Sequence, residues 1–192
     1  MSPVSLYINF VLHAIYGKLA EADWLLENHG EAIRSVARAL NRKAPFERKP
    51  LHRGLLLVQG EFEFSPSGDG RTFTSWTENQ LVARWFADPL SSMNEYMRAA
   101  KPNAKGYTLT SEAHQAPLVL FHHSWKKLQD FPSLALQHPY MGKEGARQIA
   151  WALETQAEVI TDPPKAWPEL RENTLPYCPV LDRQLSPPWI QL

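Results

Sequence analysis

The chain has a single cysteine, Cys178, among its 192 residues. That excludes an internal disulfide and leaves no cysteine cluster to ligate a metal, which fits a reducing, cytosolic setting. An excess of charge of either sign is also missing. The 20 basic and 20 acidic side chains cancel, so nothing in the global field argues for nucleic acid or an anionic membrane as partner. No stretch approaches the ~20 apolar residues needed to cross a bilayer. The opening segment, Met1 to Tyr16, has no basic leader, and Asn9 and His13 interrupt its apolar run, unlike a secretory signal. Internal repeats are absent. What is present is 44% hydrophobic residues against 21% charged, enough to bury a core in one domain spanning 1–192.

The most organised stretch runs from Arg71 to Asp88. Thr72 to Trp76 is dense in β-branched and aromatic residues and reads as a strand, with Phe73 and Ser75 on one face. Leu81 and Trp85, then Val82 and Phe86, are spaced four apart, as in an apolar helical stripe. Thr77 and Gln80 have the spacing of a capping box. Asp88-Pro89 ends the helix, because proline disfavours a helical residue before it. Such a strand-to-helix corner presents backbone N–H groups and the positive end of the helix dipole, so Ser75 stands where a hydroxyl can meet a polar ligand. The plainer reading of the corner is a cap and nothing more.

Upstream, Val4, Ile8, Val11, Leu12, Ile15 and Leu19 fall at helical spacing, and Ala20 to Glu27 continues or restarts the helix until Asn28-His29-Gly30 stops it. Ile33, Val36, Ala37 and Leu40 give a further short helix. Residues 1–42 are therefore expected as a helical layer over one face of a later sheet. Pro45 and Pro50 mark a connection, and Leu51 to Gln59 is the first strand. It contains Arg53, costly to bury unless an anion or carboxylate pairs with it; an edge arginine with its head in water is the bland alternative. Gly54 follows, suited to a bulge or a close backbone approach.

Ser65 to Gly70 reads as a turn or loop. Ser92 and Glu95 have capping-box spacing for a short helix, Gly106 to Thr110 and Pro117 to His122 read as strands, and Lys143 to Leu153 as a helix. The segment from Glu154 turns extended towards Thr161, with Gln156 and Glu158 sharing a face where the strand has begun. Adjacent His122 and His123 point to opposite faces of a strand and cannot easily chelate one ion, so no metal site is expected. From Asp162 the tail holds seven of the sixteen prolines. It lacks amphipathic periodicity and reads as a surface wrap over 166–192, with one short strand near Tyr177 to Val180.

Three short motifs line up along this order. His52-Arg53-Gly54 on an early strand, Phe73-x-Ser75-Trp76-Thr77 at the corner, and Gln156-Ala157-Glu158 opening a late strand resemble the arginine-serine-glutamate class of mono-ADP-ribosyltransferases. The resemblance covers roughly residues 50 to 165 and takes in the helix with Val82-Ala83 and Trp85-Phe86-Ala87. It departs from the family at Trp76, the middle of a Ser-Thr-Ser-like motif, and at Leu153, where many members carry an aromatic residue.

The resemblance implies an α+β fold, an ADP-ribosyltransferase-like mixed β-sandwich core with the N-terminal helical layer beside it, and residues 50–165 as the NAD-binding catalytic core. It implies an enzyme with NAD as co-substrate and a target protein as ADP-ribose acceptor, of the kind that serves as a bacterial or phage effector in the cytoplasm of a host or target cell. Glu158 would bind the ribose hydroxyls and stabilise the oxocarbenium-like sugar, and Ser75 would hold the Glu158 carboxylate. Arg53 would meet the NAD phosphates with forked donors, and Gly54 would let the backbone approach the nicotinamide carboxamide. His52 and Thr77 complete the implied NAD-binding set, His52 being a packing residue first. Gln156 would orient the acceptor side chain; the Gln-x-Glu form points away from arginine as the modified residue, with Glu154 a second carboxylate in reach. An NAD glycohydrolase on the same scaffold, or a non-catalytic binding module, are the alternatives.

Overall fold

In a computed structural model of the chain, residues 1–15, 18–43, 49–58, 72–112, 157–164 and 167–187 are described, with Lys143, Arg147, Trp151 and Thr155 besides. In chain order the elements are α1 (Pro3–Ile15), α2 (Leu19–Lys43), β1 (Leu51–Leu57), β2 (Thr74–Thr77), α3 (Gln80–Phe86), a 3-10 turn (Ser92–Asn94), α4 (Glu95–Ala100), β3 (Lys105–Ser111), β4 (Glu158–Thr161), β5 (Arg171–Glu172) and α5 (Pro179–Leu185). The protein is mixed α+β, and its described strands form one five-stranded sheet in the order β4-β2-β1-β3-β5. By its internal contacts the chain divides into two compact units. One is Met1–Arg48, Arg71–Ser75 and Gln115–Pro163; the other is Lys49–Gly70, Trp76–His114 and Pro164–Leu192.

The first unit is built on α1 and α2, which pack together. The buried stripe of α1 is Tyr7, Phe10, Val11 and Ala14, flanked by Leu6, Leu12 and Ile15. Val4, expected on that stripe, is 55% exposed in the first turn. Asn28-His29-Gly30 does not stop the second helix: α2 runs through it with a kink at His29 (φ −134°, ψ 19°). The apolar positions on both sides of the kink, Ala22, Leu25, Leu26, Ile33 and Ala37, enter one core with α1, Phe73 and Ile160. Burial of this shared stripe holds the helix together where local turn propensity would end it. Phe10 meets Phe73 edge-on, with ring centroids 5.5 Å apart. Asp23 accepts from both the backbone N–H and the hydroxyl of Thr72, at 2.9 and 2.7 Å, and Arg34 pairs with Asp162 at 2.9 Å. These polar ties fix the approach to β2 and the exit from β4.

The second unit is organised by α3 lying on β1 and β3. A β-carbon added at Gly54 would overlap the Ala83 carbonyl oxygen and crowd Phe86, and one at Gly106 would overlap the Ala87 carbonyl. The two glycines stand two register positions apart on neighbouring strands, at Gly54↔Thr108 and Leu56↔Gly106, and so on one face, where together they let the helix settle directly on the sheet backbone. The capping box expected at Thr77 and Gln80 does not form. Asn79 is the N-cap and accepts from the Leu81 N–H at 3.0 Å, while the Thr77 hydroxyl accepts from the Asn79 N–H at 3.0 Å. The chain stays extended one residue pair longer, and an Asn at the cap is as good an acceptor as a Thr. The C-terminal end is closed by buried Asn94, whose amide donates to the carbonyls of Phe86 (2.8 Å) and Asp88 (2.9 Å).

Two further expectations change here. Ser92 is not a capping-box hydroxyl; it begins the 3-10 turn and bonds to Asp182. The strand expected at Tyr177 to Val180 is instead the lead into α5, because Pro179 takes the first helical position, where its fixed φ and missing N–H do no harm. The tail strand that does form is β5, antiparallel to β3 through Tyr107↔Glu172 and Thr108↔Arg171. The strand expected at 117–122 lies outside the described residues. Of the helix expected at 143–153, Lys143, Arg147 and Trp151 are described and all three are helical.

Candidate functional site

In the first unit, the helical segment with Trp151 closes on Thr155, whose N–H donates to the Trp151 carbonyl at 2.8 Å. Glu158 then opens β4, half-buried, ahead of Val159, Ile160 and Thr161, which are buried. Between them stands Ala157 at φ 45°, the one non-glycine residue with positive φ among the described residues. That conformation costs an L-residue on the order of 1 kcal/mol. β4 neighbours β2 in the sheet, and β2 carries half-buried Ser75. Carboxylate and hydroxyl are therefore on adjacent strands of one unit. Gln156 lies outside the described residues.

In the second unit, His52 pairs with Thr77 across β1 and β2. Directly opposite residues of an antiparallel pair share a face, so His52, Gly54 and Thr77 are on the α3 side of β1. Arg53 points to the other side, which is also that of Trp76. The Arg53 guanidinium lies over the Trp167 ring, 5.9 Å from its centroid, and Trp167 stacks on buried Trp76 at 6.2 Å and 24°. Gly54 has its missing side chain accounted for by α3, and Thr77 is 5% exposed, with its hydroxyl engaged at the helix start.

His52 opens on a cavity. An open groove of about 600 Å³ is lined by His52, Gln80, Thr110, Trp167, Glu169 and Arg171, among others. The His52 Nδ1 and the Thr110 hydroxyl are 3.0 Å apart. Burial, and after it the positive charge of Arg84, hold the His52 pKa below its usual value, so the ring is neutral at pH 7. A second cavity among the described residues, about 430 Å³ beside α5, is lined by Leu81, Trp85, Leu175, Tyr177, Val180 and Asp182 among others. None of the sequence-derived site residues lines it.

Trp167 and Thr110 were not singled out from sequence. The alternation of β3 could have found Thr110 as the cross-strand partner of His52. Trp167 sits in an irregular, proline-flanked segment and has no local periodic signal to give it away. Among the described residues no cluster of three or more His, Cys, Asp or Glu side chains is arranged to hold a metal ion, and no helix is long and apolar enough to cross a membrane. No family model, no curated protein and no solved structure matches the chain.

Proposed function

We propose that the chain is a mono-ADP-ribosyltransferase that cleaves NAD at the nicotinamide–ribose bond and passes ADP-ribose to a protein acceptor. The observation that carries the reading is the pair Ser75 and Glu158 on neighbouring strands of one unit, the carboxylate at the head of a buried strand and behind a strained residue. Strain of that kind gathers where a group has to be aimed.

The chemistry asks for such a pair. Nicotinamide leaves with the bonding electrons, and the ribose carbon it vacates becomes oxocarbenium-like. A fixed carboxylate beside the ribose lowers the energy of that charge without acting as a strong base. The resemblance assigns this role to Glu158, and to the Ser75 hydroxyl that of holding the carboxylate in position. The acceptor nucleophile then bonds to the ribose carbon and gives up its proton. Gln156 is assigned to the acceptor side chain by the resemblance, as is the mixed β-sandwich as the finer description of the fold.

Arg53 and Gly54 are assigned to the NAD phosphates and the carboxamide by the resemblance; Gly54 faces α3, and Arg53 faces Trp167. Glu158 and Ser75 are therefore the centre of the proposal. Incubation with NAD and a lysate, followed by mass spectrometry, tests it. ADP-ribosylated protein is the expected product. Stoichiometric conversion of NAD to free ADP-ribose with no modified protein identifies a glycohydrolase instead, and intact NAD rejects both.

A further inference from the structure

Ala157 is held between two fixed points. Behind it the Thr155 N–H is bonded back to the Trp151 carbonyl. Ahead of it Val159 and Ile160 are each 1% exposed, and Asp162 is paired with Arg34. Where the chain enters the strand, Ala157 takes a left-handed conformation, at φ 45°. A residue in that conformation after a helix is most often glycine, because glycine has no β-carbon to crowd the following carbonyl. An alanine here accepts strain that a glycine would relieve. It also restricts the backbone more than glycine, which visits positive and negative φ alike.

We infer that Ala157 is a positioning residue for Glu158, its β-carbon restricting the backbone that aims the carboxylate. This rests on the transferase reading of Glu158. A loose glycine at 157 lets the carboxylate wander, and small misplacements of an aimed group are expensive in rate.

The test compares wild type, Ala157→Gly and Ala157→Asn in the full chain, by NAD-cleavage kinetics and by thermal unfolding. Asn keeps a β-carbon and tolerates the left-handed region. Ala157→Gly is expected to unfold at an equal or higher temperature, with kcat on the order of tenfold lower and KM unchanged; Ala157→Asn is expected to keep the wild-type kcat. A glycine variant with wild-type kcat makes Ala157 an ordinary helix cap and overturns the inference. So does an asparagine variant as slow as the glycine one, or a glycine variant that unfolds earlier than wild type. Wild-type protein that leaves NAD intact removes the transferase reading, and this inference with it, before any variant is made.

Discussion

The guanidinium carbon of Arg53 lies 5.9 Å from the ring centroid of Trp167, and the same indole is stacked on Trp76. A residue from the proline-rich tail thus closes over a charged side chain of the first strand, which meets part of the cost of placing an arginine there.

The stack predicts a graded response at Trp167. Trp167→Leu keeps apolar bulk but removes the π face, and should lower the unfolding free energy by about 1–2 kcal/mol. Trp167→Phe should lose roughly half of that. Urea denaturation of the two variants measures the difference; equal losses would assign the contact to bulk alone.

Gly54 and Gly106 should be intolerant of a methyl group. At both positions the added carbon meets backbone of α3 or its C-cap, which cannot swing aside as a flexible side chain can. Gly54→Ala and Gly106→Ala should each cost about 3 kcal/mol by overpacking. A loss below about 1 kcal/mol in chemical denaturation would show that α3 rides above the sheet rather than on it.

Much of this was legible in the sequence because it is periodic. The helical spacing of Val4, Ile8, Val11, Leu12 and Ile15 marks α1, although its buried stripe runs through Tyr7, Phe10, Val11 and Ala14, and the leucine-rich run around Leu55 marks β1. What was not legible depends on partners distant in sequence. Asn28-His29-Gly30 reads as a stop, and becomes a kink because residues on both sides reach the same core. Tyr177 to Val180 reads as a short strand, and Pro179 becomes the first residue of a helix that Asp182 anchors to Trp85 and Ser92. Gly54 reads as a bulge or a close backbone approach, and the element that makes the approach, α3, is set by the tertiary fold. Ser75 and Glu158 were named from motif order alone; their placement on neighbouring strands comes from the sheet topology.

Asp182 should be worth more than a surface carboxylate. It accepts from the Trp85 indole N–H at 2.6 Å, from the Ser92 N–H at 2.9 Å and hydroxyl at 3.0 Å, and from the Tyr177 hydroxyl at 3.0 Å. Burial raises its pKa, but these donors outweigh burial and leave it below the ordinary 3.8. The contribution is therefore complete above the unfolded value and is lost as pH falls through the folded one. Asp182→Ala should cost about 2–3 kcal/mol at pH 7, and the deficit relative to wild type should shrink on acidification below about pH 4. Denaturation curves across that range check both statements.

His52 gives a second titration, at milder pH. Its folded pKa is lowered from 6.5 by burial and by Arg84, so the unfolded chain takes up the proton first as pH falls. Stability from this residue is complete above 6.5 and declines below it, towards the lowered folded value. Wild type should lose stability between about pH 7.5 and pH 5.5 by an amount that His52→Gln does not show. Parallel slopes for the two proteins would contradict the half-buried, neutral imidazole.

The central claim is tested most directly by NAD turnover in wild type and Glu158→Gln, with the modified protein read by mass spectrometry. The account predicts NAD cleavage with transfer to protein by wild type, and a loss of at least about a hundredfold in kcat in the variant while its thermal stability stays close to wild type. Wild-type protein that leaves NAD untouched, or a Glu158→Gln variant that cleaves it at the full rate, would contradict the account.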